Sequence, residues 1–161
     1  MRTLEGYATT TLNHPRERVW QFIADPVRAV EFMAGIEELT PVELDAEGRV
    51  TVADVVGRLL MVPVTFRVGF DYSMPSKVSF GTVGRAISVR KIAGSFSLTD
   101  LPNGRTLLRY DIFGDLGPAG SLLLRGPVRE QMLRFVLHDR IRELARIAHD
   151  ELGPDPNRTI A

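Results

Sequence analysis

The sequence predicts an α+β fold, in which a curved antiparallel sheet of about seven strands wraps around one long C-terminal helix. From Ile36 to Asp115, apolar and polar residues alternate between turn signals, which is typical of the strands of a meander. From Pro118 to Leu152, apolar residues instead recur every three or four positions. This spacing predicts a helix that needs an equally long surface to lie on.

The N-terminal segment predicts one strand and two short helices. Residues Thr3 to Leu12 alternate in the manner of a half-buried strand. Asn13 is a suitable N-cap and Pro15 suits a first helical turn, so we expect a short helix that ends at Asp25. A second short helix is expected over residues 26–33. Both helices therefore lie between the first and second strands.

Six further strands are predicted from alternation and turn chemistry. Pro102-Asn103-Gly104 is a strong hairpin signal, and the other connections are also short. Short connections between successive strands imply antiparallel pairing. The predicted strands cover residues 36–44, 49–60, 62–73, 77–83, 87–98 and 105–113.

The long helix has two apolar regions on a helical wheel. From Leu133 onward one apolar stripe continues to Leu152, and charged residues such as Arg140 mostly avoid its centre. Before it, a second patch lies on roughly the opposite side, with Leu122, Leu123 and Leu124 just ahead. A helix that is apolar on two sides either lies between two protein layers or covers a cavity that an apolar molecule enters. The second patch consists of Val128, Met132, Phe135 and Val136.

Composition limits the classes of function that are open to this chain. The 161 residues contain 20 Lys+Arg, 20 Asp+Glu and no cysteine. The length predicts one domain over residues 1–152 with a flexible tail over 153–161. Zero net charge argues against a nucleic-acid partner, and the lack of cysteine excludes disulfides and thiolate metal sites. Without a signal core or an apolar run of about 20 residues, we expect a cytoplasmic protein that does not insert stably into membranes.

Three motifs resemble those of a known superfamily. Residues 14–20, His-Pro-Arg-Glu-Arg-Val-Trp, resemble its entry to the first helix, and Ala24-Asp25-Pro26 resembles the end of that helix. Residues 94–98, Gly-Ser-Phe-Ser-Leu, followed by residues 103–106, Asn-Gly-Arg-Thr, resemble its late hairpin. The chain thus resembles the START and birch-pollen-allergen superfamily, SRPBCC, in its polyketide cyclase/dehydrase or coenzyme-Q-binding-like branch. One departure is residues 32–35, Phe-Met-Ala-Gly, where the family often has Trp-x-Pro-Gly, and Phe32 is expected to replace the tryptophan as an anchor.

The resemblance implies the helix-grip fold, with an internal cavity between sheet and helix that binds lipids, sterols, quinones or polyketides in relatives. The favoured hypothesis is therefore a protein that binds a small hydrophobic molecule, without a cofactor. We expect in-phase aromatic residues and two helix residues to line the cavity. These are Phe66, Phe70, Tyr72, Phe80, Phe96, Tyr110, Met132 and Phe135.

The alternative hypothesis is an enzyme, a polyketide aromatase or cyclase that acts on a poly-ketone in the same cavity. It requires an ionisable group there, and the weak candidates are Tyr72, Arg90, Tyr110 and His138. Tyr72 and Tyr110 are either ligand-orienting hydroxyls or packed core residues, and His138 is more readily a surface residue. The three histidines are too scattered for a metal site. A third use of the chain is a homodimer contact through Val128, Met132 and Val136.

Overall fold

The computed structural model describes residues 3–59, 61–84, 89–120 and 124–153, which form one sheet, several short helical segments and a long helix. The strands are β1 (Thr3–Leu12), β2 (Ile36–Leu44), β3 (Val50–Leu59), β4 (Val62–Ser73), β5 (Lys77–Thr82), β6 (Lys91–Leu101) and β7 (Arg105–Asp115). The short helices are α1 (Arg16–Ile23), a 3-10 turn (Pro26–Arg28), α2 (Ala29–Phe32) and α3 (Gly117–Gly120). Three segments then continue into one another and are called the C-terminal helix: α4 (Pro127–Leu133), a π-helical segment (Arg134–Asp139) and α5 (Arg140–Leu152).

The sheet is antiparallel throughout and runs in the order β1-β7-β6-β5-β4-β3-β2. Strands β2 to β7 follow one another as a meander. The last strand, β7, also pairs with the first strand, β1. The predicted hairpin is present: Leu101 faces Arg105 across a loop in which Asn103 and Gly104 both have φ of 66°. Asparagine and glycine tolerate this left-handed conformation better than other residues.

Several predicted boundaries differ from the structure. The N-cap of α1 is Pro15 without a side-chain hydrogen bond, so the prediction of Asn13 as a cap is wrong. Strand β6 begins at Lys91 rather than at residue 87, and residues 85–88 lie outside the described part of the chain. Strand β7 continues to Asp115. The predicted tail beyond Gly153 also lies outside the described residues.

The C-terminal helix begins at Pro127, not at Pro118 as predicted. Gly117–Gly120 is a separate short helix, and Leu122 and Leu123 lie outside the described residues. Gly126 precedes Pro127 with φ of 57°. A left-handed residue cannot continue a right-handed helix, whereas proline suits the first position of a new one.

Both apolar regions of the helix contribute to one core, as expected of a helix that lies between two protein layers. Met132 and Val136 are only 1% and 2% exposed and lie in the same cluster as Leu137 and Leu144. Met132 and Val136 are thus buried within the chain, whereas Val128, the third residue of the predicted dimer patch, is 38% exposed.

The C-terminal helix packs against β1, β7, α1 and α2, so the sheet and the short helices enclose it. Phe32 of α2 is 2% exposed and lies between Phe22 of α1 and Phe96 of β6, at ring-centroid distances of 5.4 and 6.2 Å. It therefore occupies the anchoring position expected from the sequence. The helix-grip architecture predicted above is confirmed. Among the described residues, no helix has the length and apolar character needed to cross a membrane.

Two glycines allow two backbone segments to approach closely at the start of β2. Gly35 has φ of 95°, and its carbonyl accepts a 2.6 Å hydrogen bond from the backbone N–H of Arg58. A Cβ atom on Gly35 would clash with the Arg58 carbonyl, and one on Gly57 would clash with the Gly35 carbonyl. This close approach of two backbones holds the end of α2 against β3, where both help to line a cavity.

Candidate ligand cavity

An apolar cavity of about 60 Å³ lies between the sheet and the C-terminal helix. Residues from every strand, from the turn after α2 and from the helix line it, and two arginines are the charged members of this set. The lining residues are Leu4, Met33, Gly35, Ile36, Val55, Gly57, Arg58, Leu59, Val64, Phe66, Phe80, Ile92, Ile112, Phe113, Gly114, Leu116, Val136 and Arg140.

A second cavity of about 50 Å³ adjoins the first on the side of the short helices, and its lining is entirely apolar. The two share Met33, Ile36, Val55, Phe66 and Phe80, so these side chains separate them. Ligand pockets usually measure about 300–1,000 Å³. A ligand larger than a few atoms must therefore move the shared side chains and join the two cavities. The second cavity is lined by Pro26, Ala29, Met33, Ile36, Leu39, Val55, Phe66, Val68, Phe70, Val78, Phe80 and Phe96.

Arg140 is the buried charged residue of the first cavity, with 6% of its surface exposed. Its Nε donates a 2.9 Å hydrogen bond to the carbonyl of Ala34, and its Nη1 donates one of 2.9 Å to the hydroxyl of Tyr110. No carboxylate of the described residues forms an ion pair with it. Because a buried charge is costly without a counter-charge, this guanidinium is an exceptional feature of the interior.

Arg58, the other arginine that lines the first cavity, is exposed and has an acidic partner. Its side chain is 59% exposed, and its Nε lies 3.1 Å from Oε1 of Glu37. It is thus a solvated and paired charge at the rim of the cavity. Arg140 is the one that faces the interior.

Arg140 points inward and continues a series of buried helix positions. Val136 and Arg140 both line the cavity, Val136 from within the π-helical segment and Arg140 from directly after it. The sequence pattern predicted that Arg140 avoids the centre of the apolar stripe. One signal was present: Arg140 lies four residues after Val136 and four before Leu144, in series with buried positions.

Four of the eight predicted ligand-binding residues line the cavities, and the other four do not. Phe66 and Phe80 line both cavities, whereas Phe70 and Phe96 line the second. The remaining four, which lie outside both sets of lining residues, are Tyr72, Tyr110, Met132 and Phe135. Met132 is buried in the core, and the ring of Phe135 lies against Gly35.

Tyr110 is fully buried, and its ring stacks on Phe96 with a centroid distance of 4.8 Å. Its hydroxyl accepts the hydrogen bond from Arg140, so its own proton can be donated elsewhere. Tyr110 therefore acts on the cavity through Arg140, and it holds the guanidinium in place.

Tyr72 has a structural partner. Its hydroxyl donates a 2.5 Å hydrogen bond to the carbonyl of Val50, and Trp20 contacts its ring edge to face. Burial raises the pKa of Tyr72 to about 12, so it stays protonated at neutral pH. This hydrogen bond connects Tyr72 in β4 to the first residue of β3.

The other two candidates for catalysis are exposed. Arg90 lies just before β6, and its backbone N–H donates to the carbonyl of Asp115. His138 lies on the outer side of the π-helical segment. Within the described ranges, no three histidine, aspartate or glutamate side chains come together as metal ligands.

Comparison with known proteins supports the same architecture. No protein-family model matches the chain, and the search of curated proteins finds no significant match. Among solved structures, a START superfamily protein from Mycobacterium smegmatis has a TM-score of 0.76 at 15% identity, over 92% of this chain and 99% of that one. The Zhui aromatase/cyclase from a Streptomyces species has a TM-score of 0.72 at 16% identity, over 97% of this chain and 99% of that one.

A third match is one half of a two-domain protein. The di-domain aromatase/cyclase BexL has a TM-score of 0.67 at 15% identity, over 98% of this chain and 52% of that one. The structure and these matches define a helix-grip protein. More closely, the chain has a START-like fold, as the sequence motifs predicted.

Proposed function

We propose that this protein binds a small hydrophobic molecule in the joined cavities between its sheet and its C-terminal helix. The observation that carries the proposal is the pair of adjoining apolar cavities, with a wall formed by the five residues that line both. Phe66 and Phe80 form part of this wall, and both are only half-buried. Side chains can rotate at far lower cost than strands can separate, so the volume for a ligand is available without unfolding the sheet.

Burial of the ligand supplies the affinity. Apolar surface removed from water contributes about 25 cal/mol per Å², so a lipid, quinone or polyketide-like body gains free energy in this lining. The START-like and aromatase/cyclase neighbours support such a role by analogy of fold.

The test is native mass spectrometry of the gently purified protein, compared with the same sample after denaturation. We expect an added mass that disappears on denaturation. Val136→Phe places a ring in the first cavity and should lose this mass. Val128→Phe, at an exposed position of the same helix, is the matched control and should retain it. A thermal melt confirms that both variants fold, since overpacking costs about 1–3 kcal/mol.

The proposal fails under one clear combination of results. The wild-type protein would show only its own mass, and no compound of a hydrophobic series would raise its melting temperature. A ligand that binds the folded state at 100 times its Kd stabilises by about 2.7 kcal/mol, which such a melt detects.

The second candidate is an aromatase or cyclase that acts on a poly-ketone in the same space. The contact between Arg140 and Tyr110 favours it, because a guanidinium beside a bound ketone stabilises negative charge that develops on the carbonyl oxygen. Turnover of a poly-ketone that is lost in Arg140→Met and kept in Arg142→Met would support this activity. Equal turnover in both variants would exclude Arg140 from it.

A further inference from the structure

Arg140 places one positive charge against an otherwise apolar interior. We propose that the ligand is an apolar carboxylic acid, whose carboxylate binds the guanidinium of Arg140 while its hydrocarbon body fills the cavities. This inference rests on the proposed binding function and specifies the chemical class of the ligand.

The buried charge of Arg140 lacks a counter-charge among the described residues. The chain buries Arg140 to 6% exposure, and the described residues provide two neutral acceptors, the Ala34 carbonyl and the Tyr110 hydroxyl. Neutral acceptors satisfy N–H groups but do not cancel the charge. An anionic group in the adjoining cavity would provide the missing counter-charge.

The guanidinium of Arg140 also has N–H donors to spare for a ligand. A guanidinium carries five N–H donors in a planar fork, and Arg140 uses two of them in these hydrogen bonds. The other N–H groups have no hydrogen-bond partner among the described residues. A carboxylate accepts two parallel N–H bonds, so its shape matches the arginine fork. Tyr110 and Ala34 hold this fork from two sides, which reduces the entropy lost when the acid binds.

The rest of the cavity lining favours an apolar body for the ligand. The second cavity is lined by apolar residues alone, and the first has Arg58 as its other charge, paired with Glu37. A sugar, a diacid or a phosphorylated molecule would leave polar groups buried without partners. The lining therefore favours one acidic group at one end of a hydrocarbon.

The experiment compares three probes with the same chain: octanoic acid, octan-1-ol and octylamine, at pH 7.5, by isothermal titration calorimetry. The wild-type protein should bind the acid most tightly, the alcohol about 10- to 100-fold more weakly, and the amine most weakly, because Arg140 repels it. Arg140→Met should bring the acid to the affinity of the alcohol. Arg142→Met, at an exposed arginine of the same helix, should leave the preference unchanged.

The outcomes separate this inference from the function on which it rests. Equal affinity for acid and alcohol in the wild type, or an acid preference that persists in a folded Arg140→Met, overturns the acid assignment and leaves hydrophobic binding in place. No binding of any probe, together with a clean native mass, overturns both. Arg140→Lys provides a second variant that keeps the charge, and it should retain part of the acid preference.

Discussion

Nη1 of Arg140 donates a 2.9 Å hydrogen bond to the hydroxyl of Tyr110, in a part of the core where no described carboxylate balances the guanidinium. The residues come from opposite layers, Arg140 from the C-terminal helix and Tyr110 from β7. Their contact thus joins the helix to the sheet at the edge of the cavity. It also keeps a charge buried at a cavity whose other charged lining residue, Arg58, is exposed and paired with Glu37.

The first prediction concerns the energy of this contact. Tyr110→Phe removes an acceptor from a buried charge and should lower the free energy of unfolding by about 1–3 kcal/mol. Arg140→Met removes the charge itself, so the loss of two hydrogen bonds is offset, and we expect a change within about 1 kcal/mol. Urea unfolding of the ligand-free proteins measures both. In the Arg140→Met background, Tyr110→Phe should cost clearly less than it does alone, and additive losses would contradict this account.

The second prediction concerns the backbone crossing at Gly35. Gly35→Ala combines a left-handed φ of 95° with a clash against the Arg58 carbonyl, so it should cost about 3 kcal/mol. Gly48→Ala has a similar φ of 82° but no neighbour within 4 Å, and strain alone should cost about 1 kcal/mol. Denaturant unfolding compares them. Equal losses would show that the crossing is not tightly packed.

The third prediction concerns Tyr72 at high pH. Burial raises the pKa of Tyr72 to about 12, whereas an unfolded tyrosine titrates near 10. The folded state therefore holds its proton longer, and the related stability is complete below about pH 10 and is lost as the pH rises toward 12. Ultraviolet titration of tyrosinate should show that Tyr72→Phe removes a component with a midpoint near 12. Tyr7→Phe, at an exposed ring, is the control, and a Tyr72 midpoint near 10 would contradict the burial of its hydroxyl.

The fourth prediction concerns the ion pair between the 3-10 turn (Pro26–Arg28) and the end of the C-terminal helix. Arg28 donates through both Nη atoms to Glu151, with a distance of 2.6 Å to Oε2, and through Nε to Glu31. The hydrogen bond from Arg28 lowers the pKa of Glu151 below its usual value. The ion pair therefore stabilises the folded state at a pH above the usual glutamate pKa. This stabilisation is lost as the pH falls through the lower pKa that Glu151 has in the folded protein.

Glu151→Gln tests this pair through the pH dependence of stability. The wild type should be more stable than the variant at neutral pH, and the difference should shrink as the pH falls below about 4. Glu17→Gln, at an exposed glutamate with no ion pair among the described residues, should show no such trend. A difference that is the same at pH 3 and pH 7 would argue against the ion pair.

Much of the fold follows from the sequence because it depends on local patterns. Alternation identified the strands, and Asn103-Gly104 fixed the last hairpin through its left-handed residues. The start of the C-terminal helix was misplaced, although Gly126-Pro127 carries the signal of a break followed by a proline at the first helical position. The prediction gave more weight to the apolar residues before Gly126 than to this turn signal.

The site could be predicted only in part. Phe66, Phe70, Phe80 and Phe96 line the cavities because their in-phase spacing directs them to the inner face of the sheet. Arg140 was missed because a charged side chain at the edge of an apolar stripe was expected to face water, although it lies between the buried positions Val136 and Leu144 on the helical wheel. Which side chains face the interior there depends on packing against the sheet rather than on local sequence. The cavity volume also depends on this packing.

The most direct test of the binding account is a crystal structure of the protein grown with octanoic acid. We predict that the hydrocarbon chain lies between the sheet and the C-terminal helix, with Phe66 or Phe80 rotated to join the two cavities. The carboxylate should lie about 2.7–2.9 Å from the guanidinium nitrogens of Arg140. Cavities that stay empty at saturating acid, or a chain bound on the outer surface with Arg140 unchanged, would contradict this account.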